Sequence, residues 1–326
     1  MEVDSLVKTY STRSGEVRAL DGLSLTVPEG TVKGLLGPNG AGKTTTVKVL
    51  NTLIRPDSGS AQVAGIDVLT DPQAVRRIIG ASGQYAAVDE NLTGLENLEM
   101  VGRLYHLGIR RARARAMELI EAFELTEARN RPVKGFSGGM RRRIDLAGAL
   151  VNDPPILFLD EPTTGLDPRS RLALWDVIKG LVSEGTTVLL TTQYLEEADY
   201  LADHISVIDH GRVIAEGTAD DLKGQVGGHR VAVTLVAESD ADAASTILAR
   251  HGSAEVTRPS ARDLEVAVDT GPAALQSVLA DLGAANIPLH DAGMRRPTLD
   301  DVFLTLTGRE TASDEGTDTD QQEMSA

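Results

Sequence analysis

The amino-acid sequence predicts an α/β protein: a mostly parallel sheet with a helical insertion, followed by a small α+β ferredoxin-like domain. Three observations predict it. Short β-branched runs alternate with helical patterns over roughly the first two hundred residues, as strands joined by crossover helices do. From about residue 92 to 150 the pattern is almost wholly helical, which suggests a helical subdomain inserted in the sheet. After "GQVGG" (224–228) the composition changes and a shorter β-α-β-β-α-β order begins, the order of a ferredoxin-like module.

In chain order, "TVKGLLG" reads as a strand that ends in a Gly-rich loop before the helical "KTTTVKVLNTL". "PPILFLDEP" is a strand before the helix "PRSRLALWDVIKGLV", and "TTVLLTTQ" is a strand before "YLEEADYLA". "HISVIDHGRVIAEG" reads as a hairpin turning at Asp209 to Gly211. The second domain is expected to place strands at 230–237, 254–258, 263–268 and 285–291, with helices at 241–251 and 272–283. A last helix is expected in "TLDDVFLTLTG", capped by Thr298. The expected divisions are 1–223, a linker at 224–228, 229–308, and an acidic, apolar-poor tail at 309–326 that is expected to be disordered.

Composition narrows the function. At 326 residues the chain can bury a sizeable core, and its 41% hydrophobic content is ordinary for a soluble protein. No apolar run approaches the roughly 18–20 residues that span a bilayer, and the N-terminus has no secretory pattern, so a cytoplasmic protein with at most a peripheral membrane role is expected. The absence of cysteine excludes disulfides, thiolate metal sites and cysteine catalysis. Lys+Arg number 32 against 48 Asp+Glu, a net charge of −16, which argues against a nucleic-acid partner. The basic "IRRARARA" (109–116) alternates arginine with alanine and reads as a solvated helix face.

Three segments carry chemistry. "GPNGAGKTT" comprises Gly37, Pro38, Asn39, Gly40, Ala41, Gly42, Lys43, Thr44 and Thr45, and it fits GxxxxGK[ST] between a strand and a helix. Its backbone N–H groups and the helix N-terminus can surround phosphate oxygens, with Lys43 on the β- and γ-phosphates and the Thr44 hydroxyl on Mg²⁺. In "ILFLDEP", Asp160 ends a buried strand where it can hold Mg²⁺ through water. Glu161 follows where a carboxylate can take a proton from an attacking water. Read alone, this acidic pair is an ordinary strand end. In "FSGGMRRRIDLAGAL", Ser137, Gly138 and Gly139 precede an amphipathic helix, which is either a plain N-cap or a second anion site.

Together these segments resemble the nucleotide-binding subunits of ABC (ATP-binding cassette) transporters, over about residues 2 to 222. The resemblance implies a P-loop NTPase (ABC ATPase) core, with Gln84 as the Q-loop residue beside the cation and Asp167 in "TTGLD" as the D-loop. It also implies that Tyr10 stacks on adenine, although alone that tyrosine reads equally as a core aromatic. Two copies are then expected to close head to tail around two molecules of ATP with Mg²⁺. Each nucleotide would lie between one copy's phosphate loop and the other's Ser137, Gly138 and Gly139. The strings "GQYAAVDENLTGLENLEMVGRLYHL", "FSGGMRRRIDLAGALV", "TTQYLEEAD" and "RRPTLDDVFLTLTG" are similar to the daunorubicin/doxorubicin-resistance (DrrA-like) ATPases. That similarity implies a separate integral-membrane permease, a hydrophobic drug as the exported compound, and a peripheral position on the cytoplasmic face of the membrane. The alternatives are export of another lipid-like or glycosylated compound, or a non-transport ABC ATPase.

The sequence departs from the broad family pattern twice. The signature reads FSGGM where many relatives have LSGGQ, but the serine and glycines that meet phosphate are intact. Gln193 stands where most ABC ATPases place a histidine near the γ-phosphate. Glutamine donates hydrogen bonds but carries no charge near neutral pH. A loss of roughly 1–2 kcal/mol of transition-state stabilisation would slow hydrolysis about 5- to 30-fold. Glu161 is therefore expected to be the base, while Gln193 positions the γ-phosphate or the water.

Overall fold

A computed structural model describes residues 1–12, 15–83, 87–225, 229–268, 271–295 and 297–308. The chain begins with two long strands, β1 (Glu2–Thr12) and β2 (Gly15–Thr26), before the fully buried β3 (Val32–Leu36) and helix α1 (Lys43–Leu50). β4 (Ser58–Val63) and β5 (Ile66–Asp67) lead through α2 (Pro72–Ile78) to β6 (Ile79–Ser82). The helical insertion holds α3 (Gly94–Leu104), α4 (Ile109–Ala122) and α5 (Gly138–Ala149). Next come β7 (Ile156–Asp160), α6 (Pro168–Ser183), β8 (Thr187–Thr192) and α7 (Leu195–Leu201). The hairpin of β9 (His204–Asp209) and β10 (Arg212–Gly217) then runs into α8 (Ala219–Gln225).

The main sheet has the order β10-β9-β3-β8-β7-β6. Its pairs are parallel except β10 with β9, where His210 (φ 46°) and Gly211 (φ 75°) form the turn. Two positive φ values suit a hairpin that follows the sheet's twist. Both faces are covered, so the central strands are continuously apolar rather than alternating. Leu157, Leu159, Val188 and Leu190 face a core shared with the helical insertion, whereas Phe158, Leu189 and Leu35 face a second core. That second core lies against an antiparallel sheet, order β2-β1-β4-β5, which the alternation of strands and helices did not foretell.

The second domain comprises β11 (Arg230–Leu235), α9 (Ala241–His251), β12 (Asp263–Ala267), α10 (Gly271–Ala284) and β13 (Leu289–Arg295). Its strands pair antiparallel in the order β12-β11-β13. The strand expected at 254–258 survives only as a bridge between Thr257 and Glu265 on β12. The ferredoxin-like order is thus present with a stub in place of its second strand. The strand expected from 285 starts at Leu289, because Asn286 adopts φ 56° directly after α10.

The final helix, α11 (Leu299–Thr307), is capped by Thr298, whose hydroxyl accepts from the Asp301 backbone while the Asp301 carboxylate accepts from the Thr298 backbone. It does not pack with its own domain's core. Leu299, Val302 and Phe303 instead join Leu36, Leu195, Ala198, Ile205, Val207 and Leu222 of the first domain. Arg230 and Arg295 hold the other side of the junction, both pairing with Asp301. The expected linker overlaps the end of α8, and residues 226–228 lie outside the described residues, as does the expected tail from 309.

Candidate functional site: a phosphate loop against two acidic strand ends

The loop from Gly37 to Gly42 joins β3 to α1 at the carboxyl edge of the parallel sheet, where α/β proteins bind ligands. Gly42 takes φ 112°, and a Cβ there would sit 2.6 Å from the Ala19 carbonyl oxygen, so only glycine closes this turn. Lys43 opens the helix and is 4% exposed. Its ammonium donates to the carbonyls of Gly37 at 2.6 Å and Pro38 at 3.1 Å and lies 3.6 Å from Glu161 Oε1. Burial pulls its pKa below the ordinary lysine value, against the opposing pull of Glu161 and Asp160.

β7 carries the acidic pair next to α1. The Thr44 hydroxyl donates to Asp160 Oδ1 at 3.2 Å, and Thr191 at the end of β8 donates to the same oxygen at 2.5 Å. Asp160 and Glu161 are 5% and 7% exposed. Glu161 has φ 50°, an unfavourable backbone conformation for a non-glycine residue. It is held there because its N–H donates to both the carbonyl and the hydroxyl of Thr191, each at 3.1 Å. Strain of this kind clusters where a side chain must point in one direction.

Lys43, Thr44, Asp160 and Glu161 are therefore brought together. Gln193 follows β8 and is half-buried, one residue beyond Thr192. Tyr10 lies on β1 opposite Val17, is 37% exposed, and has the Lys8 ammonium 5.8 Å from its ring centre. Ser137 caps α5 by accepting from the Met140 N–H at 3.3 Å. A Cβ on Gly139 would lie 2.6 Å from Ser170 Oγ, so this helix start fits tightly against the first turn of α6. Asp167 caps that turn by accepting from the Ser170 hydroxyl at 2.6 Å and backbone at 3.0 Å, bonds that lower its pKa. Among the described residues no hydrogen bond links Ser137, Gly138 or Gly139 to the phosphate loop of the same chain. Gln84 lies outside the described residues.

Several supporting residues carry no motif. Thr191 is one. Arg142 and Asp145 are another pair, buried three apart on α5. Arg142 donates to the carbonyls of Pro162 at 2.6 Å, Gly83 at 2.5 Å and Asp160 at 3.3 Å. Asp145 accepts from the Ser82 hydroxyl at 2.6 Å and the Ala87 N–H at 2.7 Å. The pair thus ties the start of the signature helix to the acidic strand end and to both ends of the segment bearing Gln84. Its i,i+3 spacing was visible in the sequence, although a run of three arginines hid which one turns inward.

The chain matches known proteins along most of its length. The ABC transporter family model matches residues 20–164, and the model for the C-terminal domain of DrrA1-3-like ATP-binding proteins matches residues 217–307. The chain is 56% identical to the daunorubicin resistance ATP-binding protein DrrA3 of Streptomyces coeruleorubidus, over 94% of this chain and 95% of that protein. It is 51% identical to the daunorubicin/doxorubicin resistance ATP-binding protein DrrA of Streptomyces peucetius, over 94% and 92%. Among solved structures, the ATP-binding cassette MJ0796, a dimer bound to ADP and Pi, matches with a TM-score of 0.62 at 29% identity, covering 67% of this chain and 97% of that one.

Proposed function

The chain belongs to the ATP-binding subunits of ABC transporters, in the daunorubicin/doxorubicin-resistance group, and from that membership we propose that its ATPase activity drives export of a hydrophobic drug through a separate membrane permease. The observation that carries the catalytic reading is the convergence of Lys43, Thr44, Asp160 and Glu161 in one buried corner. The backbone N–H groups of the loop and the N-terminus of α1 favour the triphosphate. Lys43 exchanges the carbonyls of Gly37 and Pro38 for β- and γ-phosphate oxygens, which offsets the burial of its charge. Glu161 accepts a proton from water as the water oxygen bonds to the γ-phosphorus and the bond to the β-phosphate oxygen breaks. Gln193 orients the γ-phosphate or the water through neutral hydrogen bonds.

The Thr44 hydroxyl and the Asp160 carboxylate form a hard-oxygen donor pair that suits Mg²⁺, which takes few protein ligands and completes its shell with water and phosphate. Gln84 is assigned beside it from the family pattern. When bound, the ion neutralises phosphate charge. Ser137, Gly138 and Gly139 are assigned to the nucleotide of a second copy. Their placement against α6 and the lack of a bond to their own phosphate loop support that assignment. Tyr10 is assigned to adenine, and its exposure on β1 suits a stacking surface. No helix among the described residues is long and apolar enough to cross a membrane, in keeping with a permease on another chain. We place the subunit peripherally on the cytoplasmic face of the membrane.

Purifying the complex with its permease and measuring Mg-ATP hydrolysis against a panel of hydrophobic compounds tests this reading. Stimulation by an anthracycline-type compound is expected. Stimulation only by lipid-like or glycosylated compounds would move the substrate class. Stimulation by RNA or DNA would overturn the transport reading.

A further inference from the structure

Glu197 is a carboxylate for which the proposed catalytic cycle has no use. It lies on α7, four residues past Gln193, and is 0% exposed. Its Oε1 accepts from the Thr163 hydroxyl at 2.8 Å and from the Trp175 indole N–H at 3.0 Å. The Thr192 hydroxyl and the Arg171 charge also act on it, yet burial dominates and pushes its pKa above the ordinary glutamate value. An acid this deeply buried is expensive to keep, and a hydrophobic residue could fill the space at lower cost.

What distinguishes the position is the identity of its neighbours. Thr163 lies two residues after Glu161, and Thr192 lies one residue before Gln193. Trp175 and Arg171 belong to α6, the helix that Asp167 caps. Arg171 also stacks its guanidinium 5.0 Å from the centre of the Tyr194 ring, next to Gln193. One side chain thus joins the segments that hold the assigned base, the assigned γ-phosphate contact and the D-loop helix.

We propose that Glu197 is a positioning residue for ATP hydrolysis, which ties the segment after Glu161 to the segment bearing Gln193 so that the two keep a fixed relative placement. The proposal rests on the roles assigned above to Glu161 and Gln193. It does not place Glu197 in contact with nucleotide. Small displacements of reacting groups are enough to matter, because a misplacement of about 1 Å can cost about 100-fold in rate.

The test uses the full chain and compares Glu197→Ala, Glu197→Gln and Thr163→Val by single-turnover Mg-ATP hydrolysis, ATP affinity and thermal melting. Glu197→Ala is expected to slow hydrolysis about 10-fold or more while ATP affinity stays within about threefold. Glu197→Gln keeps an acceptor for Thr163 and Trp175 and is expected to hydrolyse within about threefold of wild type. Thr163→Val, which cuts one arm of the tether, is expected to fall between them and carries the test if Glu197→Ala does not fold. Wild-type hydrolysis in Glu197→Ala or, failing its folding, in Thr163→Val would overturn the proposal. So would equal losses in Glu197→Gln and Glu197→Ala. A Glu161→Gln control separates the two ideas: if it turns over normally, the assignment of the base fails, whereas its inactivity beside an active Glu197→Ala removes the positioning role alone.

Discussion

Thr191 donates a 2.5 Å hydrogen bond to Asp160 Oδ1, and through its carbonyl and hydroxyl it also holds the backbone N–H of Glu161. One threonine at the end of β8 therefore orients both acidic residues at the end of β7. Thr191→Val keeps the strand's shape and removes the hydroxyl. With Asp160 assigned to Mg²⁺, the Mg²⁺ concentration for half-maximal hydrolysis is expected to rise about 10-fold, the usual size of losing a partner that orients a metal ligand. A Mg²⁺ titration superimposable on wild type would reject this role.

Glu161→Gln retains the shape of the side chain and removes the carboxylate assigned as the base. ATP binding is expected to persist and a closed dimer to accumulate, with turnover down about 100-fold or more. Sizing chromatography with ATP, alongside phosphate release, reads both effects.

Gln193→Ala is expected to slow hydrolysis by less than Glu161→Gln does, within about 5- to 30-fold, because it removes only neutral hydrogen bonds. The opposite ranking in matched single-turnover assays would reverse the two assigned roles.

Burial raises the pKa of Glu197 in the folded chain. Above the ordinary glutamate range the folded state then binds more protons at this site than the unfolded state. Its contribution to stability is therefore complete at acidic pH and declines as pH rises through the folded value. Glu197→Gln has no such titration. Its melting temperature relative to wild type is expected to increase as pH rises above the ordinary glutamate range, levelling off once the folded pKa is passed. A difference that stays flat with pH would show that Glu197 titrates normally.

Phe303 is 3% exposed within the cluster shared by α11, α7 and β3, whereas Leu304 beside it is 41% exposed. Phe303→Ala is expected to cost about 3–5 kcal/mol, and Leu304→Ala about 0.5 kcal/mol or less. Denaturant unfolding followed in the nucleotide-binding domain checks this, since the loss should register there and not only in the C-terminal module. Cutting the chain after residue 228 would also strip α11 from that shared core, so such a deletion does not isolate the contribution of the small sheet.

Much of this was legible in the sequence because it depends on local chain chemistry. The Gly-rich turn, the apolar run ending in Asp160 and Glu161, the Ser137 cap and the Thr298 cap are each fixed by a few consecutive residues. The antiparallel sheet was less visible because the alternation in β1 breaks at Ser5, where φ is 51° and the register with β2 and β4 shifts. Thr191, Arg142 and Asp145 act on backbone groups far along the chain, and no spacing announces such partners. The Thr298 cap announced α11, but nothing in its sequence said that it would pack in another domain.

That destination has a consequence for how the protein is made. The patch around Leu36, Ile205 and Leu222 is synthesised before its cover, which comes from Leu299, Val302 and Phe303. The core of the nucleotide-binding domain is therefore incomplete until α11 has been made and has docked. A truncated product that lacks α11 exposes a sticky surface beside α7 and so carries a mark of its own incompleteness that quality-control chaperones and proteases can read.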